Sequence, residues 1–151
     1  MGGMVRPVSR GRLRLTGSAS DDPVALDPNI LACERDAESL VAAVELCRRV
    51  GSADALAEWG AVERYPGPLV DTPDALRTYV RETAITYHHQ VGTCKMGTDA
   101  DAVVDPRLRV RGIEGLRVAD ASIMPMVTTG NTNAPSIMIG ERAAEFVLAD
   151  A

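Results

Sequence analysis

Arginine recurs at every second position from Arg10 to Arg14, a period of two that predicts a short strand from Arg10 to Leu15 with arginines on its wet face and Leu13 and Leu15 on its dry one. The polar stretch Gly17 to Pro23 interrupts it, and Val24 to Leu26 resumes the extended pattern. The periodicity then changes. Leu40, Val44 and Cys47 share one helical stripe with Val41 beside it, which predicts a helix from an Asp36 N-cap through Val50, with Gly51 as its C′ residue. A shorter helix is expected from Ala53 to Trp59, and Pro66-Gly67-Pro68 forces a break. Thr72-Pro73 opens another helix, with threonine as N-cap and proline at the first helical position. Leu76, Tyr79 and Val80 form its buried side until the pattern fades near Thr83.

From Thr86 the texture differs. TYHHQVGTCKMG, residues 86–97, crowds reactive side chains and two glycines into twelve positions. Val103 to Val110 contains Asp105-Pro106 and reads as a turn leading into a short strand. Gly115 to Asp120 reads as another strand, with Leu116 and Val118 on one face. The polar turn Thr128 to Asn133 feeds a last helix with Pro135 near its start and Ile137, Met138, Ile139, Phe146 and Val147 as apolar positions. Gly140 weakens that helix by about 1 kcal/mol relative to alanine, so close packing or a neighbouring ligand is expected to justify it. Strands and helices together predict an α+β fold, with a change of character between 1–85 and 86–151.

With 46% hydrophobic and 25% charged residues over 151 positions, the chain has ordinary globular proportions and needs no staples to form a core. Trp59, Tyr65, Tyr79, Tyr87 and Phe146 are its only aromatics, so the core is aliphatic and stacking on single-stranded nucleic acid is disfavoured. A net charge of −5 repels phosphate backbones and argues against nucleic-acid partners. The basic exceptions, Arg6, Arg10, Arg12 and Arg14, fit the wet face of a strand. Cys33, Cys47 and Cys94 form no CxxC pair or zinc-ribbon spacing, and no disulfide framework is expected. No leader and no apolar run of membrane length are evident, so the expected setting is reduced and cytoplasmic, without a membrane span.

His88 and His89 are the only histidines. Imidazole is the commonest general base at physiological pH, but adjacent residues of an extended segment point to opposite faces, so one of the two is expected to serve a given pocket. A histidine satisfied beside the core is the bland alternative. His88, His89 and Cys94 do not match a zinc spacing, so no metal site is expected, and nothing marks Cys94 as a nucleophile rather than a small buried residue. Gly130 to Asn133 precedes a helix whose first N–H groups favour an electron-rich ligand atom. Asn133 fits either capping that helix or reaching the ligand.

TYHHQVGTCKMG, LRVADASIMP and GNTNAPSIMIGERAA, in this order and spacing, resemble the C-terminal motifs of the glucose–methanol–choline (GMC) flavin oxidoreductases, in their choline dehydrogenase-like branch. Gly11 to Asn29 resembles the family's substrate-domain segment. The resemblance implies that 1–85 is part of a substrate-binding region of antiparallel strands and helices. It likewise implies that 86–151 is the catalytic, flavin-facing segment with the terminal helix, that the cofactor is FAD, and that the reaction turns an alcohol into an aldehyde or ketone. The family pattern H-P-x-G-T-x-x-M-G aligns with His89, Gly92, Thr93, Met96 and Gly97. His89 is then the base that takes the hydroxyl proton while the carbinol hydride goes to flavin N5. Gln90 stands where the family has proline, which leaves His88 as a second candidate base. Asn133 aligns with the second active-site position, where a carboxamide holds the substrate oxygen but is a poor proton acceptor. Asp120, Ala121, Asn131 and Thr132 correspond to positions lining FAD, and the last helix aims its N-terminus at the flavin's pyrimidine end. Ile123 to Val127 suggests an apolar wall of the substrate cavity.

No G-x-G-x-x-G follows a strand and opens a helix, so the N-terminal dinucleotide-binding fold of the family is not expected within these residues. The resemblance covers about the last quarter of a family member. Such a C-terminal part is expected to bind FAD weakly or not at all alone, and to need an FAD-binding partner polypeptide for turnover. An alternative from another class is a non-catalytic remnant or interaction module that keeps the family fold.

Overall fold

The computed structural model describes residues 2–150. They form two compact units, one running through Ile85 and the other beginning at Thr86.

In the first unit, β1 (Arg12–Leu15) and β2 (Val24–Asp27) pair antiparallel, with Leu13 opposite Leu26 and Leu15 opposite Val24. Directly opposed residues share a face, so these four apolar side chains lie together. That face is not dry as expected: Leu15 is 71% and Leu26 69% exposed. A two-stranded ribbon has no second layer of its own to cover it.

α1 (Glu34–Gly51) starts earlier than the capping pattern indicates. Asp36 is its third residue, not its N-cap, a position that Cys33 holds without a side-chain bond. The Asp36 carboxylate is 1% exposed and accepts the N–H of Val8 at 2.9 Å and of Ser9 at 2.7 Å. Ser9 Oγ in turn accepts the Cys33 N–H at 3.0 Å. The N-terminal segment therefore supplies the closure that a local cap normally gives. Gly51 is the last helical residue rather than C′, and Ser52 closes the end on the Arg48 carbonyl. On the expected stripe Leu40 and Val44 are half-buried, whereas Cys47 is exposed.

α2 (Pro73–Thr83) follows its sequence signals: Thr72 Oγ1 accepts the Ala75 N–H at 3.2 Å, Pro73 comes first, and Leu76 and Val80 are buried. It packs on α1, and an Arg81–Glu34 ion pair joins the two. Between them a 3₁₀ turn (Asp54–Trp59) stands where a short α-helix is expected. Arg48 pins the connecting loop through the Glu63 carboxylate at 2.9 Å and the Val70 carbonyl at 2.7 Å.

In the second unit the two expected strands shrink to isolated bridges, Met96 with Val104, Val104 with Val110, and Arg109 with Arg117. The cause is the Asp105 turn. Leu108 donates to the Asp105 carbonyl at 2.8 Å, and Asp105 Oδ1 accepts the N–H of Arg107 and Arg109, so the chain curls back before a ladder can propagate. α3 (Asn133–Ala149) lays Ile139 and Ala143 on a core of Val104, Leu108, Ile123 and Met124. Fully burying such a large aliphatic side chain contributes about 1.5–3 kcal/mol. Ile123 and Met124, expected on a substrate wall, are thus core residues. Leu116 is exposed, while Val118 packs against the core. A Cβ on Gly140 would meet nothing within 4 Å, so the close packing expected there is not made by the described residues.

Strands and helices confirm the α+β class. All three cysteines are free thiols. Among the described residues no helix is long and apolar enough to cross a membrane.

Candidate active site

Main-chain bonds lock the first of the three motifs onto the second. Gly92 and Cys94 both donate to the Ser122 carbonyl at 3.0 Å, and Met96 donates to the Ile123 carbonyl at 2.7 Å. Gly92 makes this docking possible by adopting φ +93°, a conformation that L side chains resist. The receiving 3₁₀ turn, Ala121–Ile123, is capped by Asp120, whose Oδ1 accepts the Ser122 N–H at 2.7 Å. Bonding from Ser122 holds the Asp120 carboxyl below the usual aspartate range, against an opposing effect of burial. Cys94, expected to be buried, is half-exposed.

The third motif joins through a side chain. His89 Nδ1 lies 3.1 Å from Thr132 Oγ1, a contact between residues 43 positions apart. Thr132 is the residue preceding α3, and its carbonyl accepts both the Ser136 N–H at 3.0 Å and the Ser136 hydroxyl at 2.7 Å. The other ring nitrogen, Nε2, is buried and has no hydrogen-bond partner among the described residues. Tyr87 sets its ring edgewise to the imidazole, 5.8 Å between centroids at 72°.

His88 is placed differently. It adopts φ +61° and is exposed, so the pair sits in a bend and not in the extended segment expected from the sequence. Thr86 Oγ1 anchors this bend by accepting the His88 N–H at 3.1 Å and Gln90 Nε2 at 2.8 Å.

Asn133 is the first residue of α3 and is exposed. It is not the N-cap: Thr132 holds that place, and no side chain caps the helix. Among the described residues the N–H groups of Asn133 and Ala134, which precede Pro135 in the first turn of this seventeen-residue helix, are thus left without a side-chain cap at its positive end. Asn131 is exposed and Ala121 half-buried. No group of three or more potential metal ligands occurs among the described residues.

These positions assemble a half-buried imidazole with one oriented nitrogen and one unpaired nitrogen, next to an open helix N-terminus. The sequence groups Thr132 with cofactor-lining positions and gives no sign that its hydroxyl meets His89. Its only local signal is its place before a helix.

A family model described as GMC oxidoreductase matches residues 7–140. The chain belongs to the GMC oxidoreductases. This GMC chain is 45% identical over 143 residues to an alcohol dehydrogenase (acceptor) of Pseudomonas putida, a match covering 94% of the chain and 26% of that protein. With the mitochondrial choline dehydrogenase of Homo sapiens it shares 42% identity over 147 residues, 96% of the chain and 25% of the relative. Among solved structures, an FAD-dependent oxidoreductase from Chaetomium thermophilum superposes with a TM-score of 0.91 at 26% identity, covering 97% of the chain and 26% of that structure. The chain thus spans about a quarter of the length of the GMC relatives it matches.

Proposed function

We propose that this chain is the substrate-facing C-terminal part of an FAD-dependent oxidoreductase that converts an alcohol to an aldehyde or ketone. His89 accepts the hydroxyl proton, and Asn133 holds the substrate oxygen. The observation that carries this reading is the buried, unpartnered Nε2 of His89. Leaving a polar group buried without a partner costs about 1–3 kcal/mol. A hydroxyl donor from outside the described residues would relieve that cost, and an alcohol is such a donor.

The residues present fit the cofactor. The N-terminus of α3 has no side-chain cap and offers N–H donors at a positive dipole end, the environment an electron-rich ring edge prefers. Asp120, Ala121, Asn131 and Thr132 would hold FAD there. The chemistry that FAD supplies when bound is acceptance of the carbinol hydride. His89 contributes by withdrawing the hydroxyl proton, which concentrates charge on the substrate oxygen. Asn133, adjacent in sequence to the threonine that touches His89, contributes its carboxamide as a donor to that oxygen and not as a base.

Tight FAD binding also needs contacts to the pyrophosphate and adenosine, which the resemblance assigns to a dinucleotide-binding fold. Turnover on this reading requires that fold in addition to the present residues, joined to them or supplied by a second polypeptide. The test is to replace the matched quarter of the Pseudomonas putida alcohol dehydrogenase with this chain. The hybrid is expected to bind FAD and oxidise primary or secondary alcohols with an artificial acceptor, and the 151-residue chain alone to purify colourless. A hybrid that holds FAD and is inert toward all alcohols overturns the activity. A yellow 151-residue chain with stoichiometric FAD overturns the division of labour.

A further inference from the structure

We infer that Thr132 is a positioning residue that fixes His89 in the tautomer protonated at Nδ1, which makes Nε2 the nitrogen that receives the substrate proton. The inference rests on the reading of His89 as the base and adds the residue that sets which of its nitrogens works.

Two arrangements satisfy the 3.1 Å contact. If the Thr132 hydroxyl donates to Nδ1, the ring proton sits on Nε2, and a donor is left buried with no acceptor. If Nδ1–H donates to Thr132 Oγ1, Nε2 keeps a lone pair, and the orphaned group is an acceptor. Among buried backbone groups orphaned N–H donors are rarer than under-satisfied acceptors, and a base that takes a proton at Nε2 needs its lone pair there, so the second arrangement is favoured. It also leaves the threonine hydroxyl proton free to rotate toward solvent, since Thr132 is only half-buried.

The acceptor that sets the tautomer is itself held rigidly. Both the N–H and the hydroxyl of Ser136 bind the Thr132 carbonyl, tying the residue to the first turn of α3. The edgewise Tyr87 ring limits rotation of the imidazole from another side. Fixing a base through its second nitrogen while the first faces the reacting proton is the general logic of an oriented histidine.

The tautomer can be read without cofactor or turnover. In the 15N-histidine-labelled full chain, at a pH where the ring is neutral, long-range 1H–15N spectra are expected to give a pyrrole-type Nδ1 and a pyridine-type Nε2 for His89. His88→Asn, which tolerates the left-handed backbone, assigns the two rings. Thr132→Val is expected to shift the proton to Nε2, and Thr132→Ser to keep it on Nδ1. In the FAD-loaded hybrid, Thr132→Val is expected to lower kcat about five- to tenfold, the value of one hydrogen bond, with recovery in Thr132→Ser. A proton on Nε2 in the unsubstituted chain overturns the inference, as does an unchanged tautomer in Thr132→Val. Should the valine variant not fold, the unsubstituted and serine spectra decide. Failure of the base reading shows elsewhere, as a His89→Gln hybrid with undiminished turnover, and leaves the tautomer result intact.

Discussion

Asp36 accepts the main-chain N–H of Val8 at 2.9 Å across 28 residues, and with the adjacent Ser9 N–H at 2.7 Å it ties the N-terminal segment to the first turn of α1. A buried carboxylate bound this way stands or falls with its partners. Asp36→Ala is expected to cost about 1.5–3 kcal/mol, the range for a hydrogen bond to a charged group, measured by denaturant unfolding. A loss below about 0.5 kcal/mol, as at an ordinary surface site, means that the clasp does not hold.

The same carboxylate sets an acid limit. Burial pushes its pKa up, but bonding from Ser9 and Val8, aided by the charge of Arg10, outweighs burial and holds it below the usual aspartate value. A folded pKa below the unfolded one means the unfolded chain binds the proton first. The stabilisation is complete above the unfolded value of about 3.9 and fades as pH falls through the lower folded value. Asp36→Asn is expected to flatten the dependence of Tm on pH between about pH 5 and pH 2 while lowering Tm at neutral pH. Parallel Tm profiles for the two proteins rule this out.

Gly140 offers a test of helix physics at a position that the described residues leave open. A Cβ there meets nothing within 4 Å, so Gly140→Ala is expected to stabilise α3 in this chain by about 0.5–1 kcal/mol, seen as a higher Tm. Destabilisation by the methyl group shows instead that a neighbour closes on this glycine.

His88 separates two candidate bases. Its φ of +61° costs a residue with a Cβ about 1–2 kcal/mol, so His88→Gly is expected to be neutral or slightly stabilising. In the FAD-loaded hybrid its turnover is expected to stay within about threefold of the parent, whereas losing a general base removes about 100-fold or more. A collapse of turnover in His88→Gly transfers the proton to His88.

Local signals were legible where the partners are local. Thr72 and Pro73 start α2 as written, because a cap and a first-turn proline act within four residues. At Asp36 the cap pattern misleads because the carboxylate's partners lie 27 and 28 residues away, and an N-cap pattern carries no information about them. The alternation at Leu13 and Leu15 gives the strand but not its cover, since exposure depends on a layer that the hairpin does not contain. From 103 to 120 the pattern predicts a turn and two short strands, yet the Asp105 carboxylate binds two backbone N–H groups and bends the chain before a ladder forms. At the site, the motifs pointed to His89 and Asn133 through family resemblance. The Thr132 contact became visible only when the turn before α3 and the segment after Ile85 were brought together in space.

Whether the imidazole of His89 takes the substrate proton is decided by steady-state alcohol oxidation in the FAD-loaded hybrid carrying His89→Gln. Flavin absorbance is expected to equal the parent's and turnover to be lower by about 100- to 10,000-fold. Turnover within about threefold of the parent at equal flavin content, well short of any general-base effect, contradicts that role of His89.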